Sequence, residues 1–193
     1  MTWSRPWTST PRFAPLKSWR SPAARVATGL VKTSRHAAVV VASTSAAAGT
    51  AQDKTGPMIA RWLAERGFEV PGPVVVADGQ PVRFAVDDLL ADDAQVIIVT
   101  GGTGVSPDDQ SPEMVAPLLD VQLPGIIEAI RRRGEPNTPL SIITRGVAGF
   151  AGSSFVITLP GSTGGVKDGL AVLDPVLEHL LTQRCGGTGH GPR

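Results

Sequence analysis

Cysteine is almost missing: Cys185 is the only one among 193 residues, so no internal disulfide can form. A cysteine-based zinc or iron–sulfur centre is excluded for the same reason. The three histidines, His36, His179 and His190, are too scattered to suggest a metal triad. No apolar run reaches the roughly 18 residues that a membrane-spanning helix needs. No internal repeat with a period of roughly 20–50 residues is visible, which sets aside solenoids and propellers. Acidic residues are missing from one end. Residues 1–35 hold seven Lys/Arg and no Asp or Glu, which leaves 11 basic against 17 acidic residues, a net of −6, for the remainder. A basic arm thus precedes an acidic domain, and bulk charge argues against nucleic-acid binding by that domain.

Hydrophobic residues make up 41% of the chain and charged residues 18%, which fits a globular protein and excludes disorder throughout. The first 35 residues are rich in Ser, Thr, Pro, Arg and Trp and show neither strand nor helix periodicity. They lack the apolar stretch of a secretory signal and fit a transit peptide only in part. The plainer expectation is an unstructured extension, or sequence upstream of the true start, over 1–35, one domain over 36–184 and a flexible tail over 185–193.

From His36 the texture changes. Residues 37–43, 74–77, 95–100 and 154–159 are short apolar runs rich in Val and Ile, as expected of strands buried on both faces. Between them, residues 57–67, 82–90, 112–119, 125–133 and 165–181 carry helical spacing. Asp53 is placed to cap the first of these helices, Ser111 the third, and Asp174 a restart within the last. Strands alternating with helices predict an α/β fold: a three-layer sandwich with a mostly parallel sheet and helices on both faces. In such sheets ligands sit beyond the carboxyl ends of the strands. The loops after Ala77, Thr100 and Leu159 are therefore where chemistry is expected.

Each of those loops carries a motif. Thr100-Gly101-Gly102-Thr103-Gly104 follows a buried strand, and its glycines allow a sharp turn that brings N–H groups to an anion. It is not a P-loop, because Val105-Ser106 follows where Lys-Ser/Thr would be, nor a dinucleotide fingerprint, because position 107 is Pro. Asp108 and Asp109 precede the next helix, where acids also favour the helix N-terminus. Asp78 is either a turn former before Gly79 or a carboxylate facing the same loops as Asp109. Two such carboxylates can hold Mg²⁺ beside phosphate oxygens. Pro160-Gly161-Ser162-Thr163 leads from strand to helix, either as a plain capped turn or as an anion site. Lys167 on that helix's first turn reads as an exposed helix face or as a phosphate contact, and Arg131–Arg133 as a solvated helix end.

The ordered set Thr100–Gly104, Asp109-Gln-Ser111-Pro-Glu113, Thr144-Arg145-Gly-Val-Ala-Gly149 and Leu159-Pro160-Gly161-Ser162 resembles the Mog/MoaB family of molybdopterin-binding proteins. Asp53-Lys-Thr-Gly-Pro57 resembles the entry to the family's first helix. The likeness covers roughly residues 37–182. It implies a homotrimer, sometimes a hexamer, in the cytoplasm, with molybdopterin and ATP as substrates and Mg²⁺ as cofactor. The family's adenylyltransferase branch moves AMP from ATP onto the terminal phosphate of molybdopterin. By the same resemblance the two essential, metal-holding aspartates fall on Asp78 and Asp109. Ligand contacts fall on Thr100, Gly101, Gly102, Thr103, Gly104, Ser111, Thr144, Arg145, Pro160, Gly161 and Ser162. Neither nucleic acid nor membrane is implied as a partner, whereas other molybdenum cofactor biosynthesis proteins are. Ser43-Thr44-Ser45 stands where many members have Ser-Asp-Arg, and Ala46–Ala48 where a serine often follows. The alternatives are a protein that holds molybdopterin without transfer, and a trimeric scaffold module. Asp78, often missing from the inactive branch, favours the enzyme.

Overall fold

A computed structural model describes residues 35–186. The parts of the expected extension (1–34) and tail (187–193) that fall beyond those bounds lie outside the described residues. Strand β1 covers Arg35–Ala42, one residue earlier than the expected domain start. It is followed by the short helix α1 (Thr44–Ala47), α2 (Thr55–Ala64), β2 (Phe68–Glu69), β3 (Val74–Val76), α3 (Gln80–Ala91) and β4 (Val96–Thr100). Then come α4 (Ser111–Val115), β5 (Val121–Gln122), α5 (Pro124–Gly134), β6 (Ala148–Ala151), β7 (Ser154–Leu159), α6 (Thr163–Leu173) and α7 (Leu177–Arg184). Residues Ala116–Leu118 and Pro139–Ile143 form 3₁₀ turns.

The sheet order is β2-β1-β4-β7-β6-β5, with β3 also paired to β1. β1, β2, β3, β4 and β7 run parallel, whereas β6 is antiparallel to β7 and to β5. The central strands are apolar on both faces because both faces are covered. In β1, Val39 and Val41 join Ile59 and Leu63 of α2, Ile127 and Ile130 of α5, Leu170 of α6 and Leu177 of α7. Val40 and Ala42 point the other way, to Val82 and Val86 of α3 and Val115 of α4. Alternation along one strand thus feeds two cores and makes three layers. Each fully buried Val, Ile or Leu contributes about 1.5–3 kcal/mol relative to exposure.

Three local expectations change. Ser111 is not a cap: it is the first residue of α4, and its amide donates to the Gly102 carbonyl at 3.0 Å. Asp174 does not cap α7, whose flanking residue Val176 offers no side-chain bond. The Asp174 carboxylate is instead held by Arg66. The strand expected at 74–77 is present as β3, one residue shorter, and the two-residue strand β2 ahead of it, also beside β1, was not expected. Asp53 does serve the start of α2, accepting from the amides of Thr55 (2.9 Å) and Gly56 (3.0 Å).

Candidate functional site

The carboxyl ends of β1, β3, β4 and β7 open into one cleft of about 1530 Å³. Residues 43–45, 53–55, Asp78, 100–104, 108–109, the 137–144 stretch and 160–168 contribute to its lining. Strand pairing builds it. β4 lies between β1 and β7 in register, so Thr100 sits opposite both Val41 and Leu159. The Thr100 hydroxyl is fully buried and donates to the Pro160 carbonyl at 2.9 Å, and the Gly101 amide donates to the Leu159 carbonyl at 3.0 Å. The Gly-rich loop and the Pro160–Ser162 turn are thereby tied together.

The glycines of this loop are dictated by space as well as by dihedral angle. Gly101 has φ +99°, and a Cβ there would lie 2.1 Å from the Ala42 carbonyl oxygen. Gly102 has φ +60°, and its Cβ would meet Asp78 Oδ1 and Ser111 Oγ, both at 2.6 Å. Asp78 therefore lies against Gly102. Its Oδ2 accepts from the Thr44 amide and the Thr44 hydroxyl, each at 3.1 Å. Asp109 lies against Gly104, its Oδ2 being 2.7 Å from where a Cβ would be, and accepts from the Ser106 amide at 3.1 Å. The two aspartates flank the loop, and both line the cleft.

Thr103 and Thr144 are buried, and their hydroxyls meet at 2.9 Å, with Thr144 donating. The Thr144 carbonyl accepts from Arg131 Nε at 2.8 Å, so Arg131 is not merely a solvated helix end. Ser162 caps α6, its hydroxyl accepting from the Gly165 amide at 3.1 Å. The amides of Thr163 and Gly164 remain at the first turn, where the helix dipole favours an anion. The exposed residues Lys54 and Lys167 bring positive charge to the cleft wall.

Two of the expected ligand contacts sit apart. Ser111 is fully buried, does not line the cleft, and its hydroxyl has no hydrogen-bond partner. Arg145 also stays out of the cleft lining and lines a separate hollow with Val105, Pro107 and Glu113. Sequence reasoning missed Thr44, Lys54 and the 137–143 wall, where Leu140 and Ile143 are exposed apolar side chains. Lys54, next to the recognised cap Asp53, was the one legible from position. No cluster of three or more metal-ligating side chains occurs among the described residues.

Fold and site together define an α/β domain with a cleft across the carboxyl ends of its parallel strands, lined by glycine-rich turns and a helix N-terminus. Comparison with known proteins narrows the class. The model of the "probable molybdopterin binding domain" family matches residues 38–179. The bifunctional molybdenum cofactor biosynthesis protein of Synechococcus elongatus is 37% identical over 156 residues, 80% of this chain and 49% of that one. The molybdopterin adenylyltransferase of Pyrococcus furiosus is 32% identical over 148 residues, 74% and 87% of the two chains. The solved Mog protein of Mycobacterium ulcerans superposes with a TM-score of 0.75 at 47% identity, covering 78% of this chain and 99% of that one. The chain belongs to the Mog/MoaB family of molybdopterin-binding, molybdenum cofactor biosynthesis proteins. It spans about half the length of the bifunctional relative. Among the described residues, no helix is long and apolar enough to cross a membrane.

Proposed function

We propose that this chain is a molybdopterin adenylyltransferase, moving AMP from ATP onto the terminal phosphate of molybdopterin with the help of Mg²⁺. The observation that carries the reading is the pair Asp78 and Asp109, set against Gly102 and Gly104 in one cleft. The Pyrococcus furiosus relative, named for this activity, supports it. A terminal phosphate oxygen of molybdopterin attacks the α-phosphorus of ATP, the bond to the bridging oxygen breaks, and pyrophosphate leaves. Charge gathers on phosphate oxygens throughout, so positioning and cationic groups matter more than a covalent nucleophile.

The donor set fits Mg²⁺. Among the described residues, each carboxylate uses one oxygen on protein donors and keeps Oδ1 free of them. Hard carboxylate oxygens, one or two per ion with phosphate completing the shell, are what Mg²⁺ takes. Asp78 and Asp109 would hold it, and it would neutralise the phosphate charge and polarise the reacting phosphoryl group. The Gly101–Gly104 loop, the amides of Thr163 and Gly164, Lys54 and Lys167 bind and orient the phosphates. Thr103 and Thr144 hold the floor between them. The reading further makes the protein a cytoplasmic homotrimer that works beside other molybdenum cofactor biosynthesis proteins.

The deciding experiment mixes the protein with anaerobic molybdopterin, α-labelled ATP and Mg²⁺. Label on molybdopterin, with pyrophosphate released in equal amount, is expected. Tight molybdopterin binding with no transfer would reduce the reading to a holding protein.

A further inference from the structure

The resemblance offers Arg145 as a ligand contact, but its side chain is engaged elsewhere. Arg145 Nε donates to the Gly104 carbonyl at 2.6 Å. One terminal nitrogen donates to the Asp109 carbonyl, and the other pairs with the Glu113 carboxylate. Its own amide donates to the Thr103 carbonyl at 2.9 Å. Arg145 lines a hollow separate from the cleft, together with Val105, Pro107 and Glu113.

These bonds join the two ends of a loop. The chain departs at Gly104 and returns at Asp109, and one planar fork holds both carbonyls. Besides that fork, Gln110 Nε2 donates to the Pro107 carbonyl at 3.1 Å, while Val105 packs little, being 70% exposed. Within the loop, the Asp109 amide donates to the Ser106 carbonyl at 3.0 Å, and the Ser106 amide donates to Asp109 Oδ2 at 3.1 Å. The direction of the Asp109 carboxylate therefore depends on the loop staying closed.

We propose that Arg145 is a positioning residue: it clamps the 104–109 loop from outside the cleft and so fixes the Asp109 carboxylate inside it. The kinetic part rests on the role given to Asp109 above; the conformational part stands without it. Lysine cannot take over, because an ammonium lacks the rigid fork that spans two acceptors while pairing with Glu113.

The test uses the full chain with Arg145→Ala and Arg145→Lys. Both should lower kcat for AMP transfer about 10²-fold, the scale of a misplaced catalytic group. KM and equilibrium binding of molybdopterin should stay within about twofold, because uniform binding is untouched. In an Asp109→Asn background, either change should cost no more than about a further twofold, because both act through one carboxylate. Amide hydrogen exchange supplies a readout that needs no substrate. Ser106 and Asp109 should exchange faster in both variants, with the amides of β4 unchanged. Unchanged exchange at Ser106 and Asp109 would overturn the clamp. So would a full rescue by lysine, weakened molybdopterin binding, or an undiminished loss in the Asp109→Asn background. If the unmodified protein transfers no AMP, the proposed function fails, while the exchange measurement still decides the clamp.

Discussion

Replacing Asp78 or Asp109 with asparagine removes one negative charge and almost no volume. The structural cost can be worked out first. Asp78 accepts two bonds from Thr44, and Asp109 accepts one from the Ser106 amide. An asparagine oxygen can accept all of these, so what is lost is the difference between charged and neutral acceptors, about 1 kcal/mol. Both side chains are half-buried and sit outside the two cores, which leaves packing unchanged. The catalytic cost is larger. A carboxylate that positions Mg²⁺ and phosphates contributes several kcal/mol to the transition state. At 1.4 kcal/mol per tenfold, turnover should fall about 10²–10⁴-fold in each variant. Molybdopterin binding should largely persist, since the glycine loop, Thr144 and the Pro160–Ser162 turn remain. Adenylyl transfer, ligand titration and thermal melting on the same two proteins separate these terms. Unmodified turnover in both would sink the assignment. Equal losses of turnover and stability would make the aspartates structural.

Gly102→Ala should reduce transfer about 10²-fold by pushing Asp78 aside, and should cost about 1–2 kcal/mol for the left-handed backbone, read as a lower melting midpoint. Thr144→Val removes the donor to the Thr103 hydroxyl, and about 1 kcal/mol of stability, or roughly 2–4 °C in melting midpoint, should go with it. A chain starting at Thr33 should keep the parent's melting midpoint and activity; loss of folding would show that the basic arm contributes to the domain. Sedimentation at micromolar concentration should give a trimer, and a monomer alone would count against the assembly.

The parallel half of the sheet was readable because burial on both faces leaves a plain mark. β7 falls on the expected 154–159, and β4 is one residue shorter than expected. The antiparallel edge left no such mark. β6 is Ala-Gly-Phe-Ala, poor in β-branched residues, and β5 is two residues long. Both exist through pairing with β7 and with each other, information that lies outside the local pattern. The caps at Ser111 and Asp174 misled for different reasons. Ser111 lies inside the first turn of α4 with its hydroxyl buried and unpartnered, whereas Asp174 is taken by Arg66, 108 positions away in sequence. In the site, the glycine turns and Asp78, Asp109 and Ser162 were legible because loops following buried strands converge. Thr44 was not, since nothing around it in sequence announces that its partner is Asp78.

Thr44 also explains how this chain lives with a departure from its family's pattern. An aspartate in the common Ser-Asp-Arg would set a second carboxylate at the position now facing Asp78, and two like charges there would repel. Threonine reverses the interaction. Its amide and hydroxyl donate to Asp78 Oδ2, and its hydroxyl oxygen accepts from the Asp78 amide at 3.4 Å. The first-strand loop is thus fastened to the loop after β3 by a reciprocal pair. Ser43 completes the arrangement, capping α1 by accepting from the Ala46 amide at 3.2 Å, while its own amide donates to the Val76 carbonyl at 2.9 Å. The missing guanidinium removes one positive charge from this corner of the cleft, and Lys54, on the same wall, is the cation nearest in sequence to take its place. Among the described residues, Asp78 is therefore oriented by neutral donors alone, with Oδ1 turned toward Gly102.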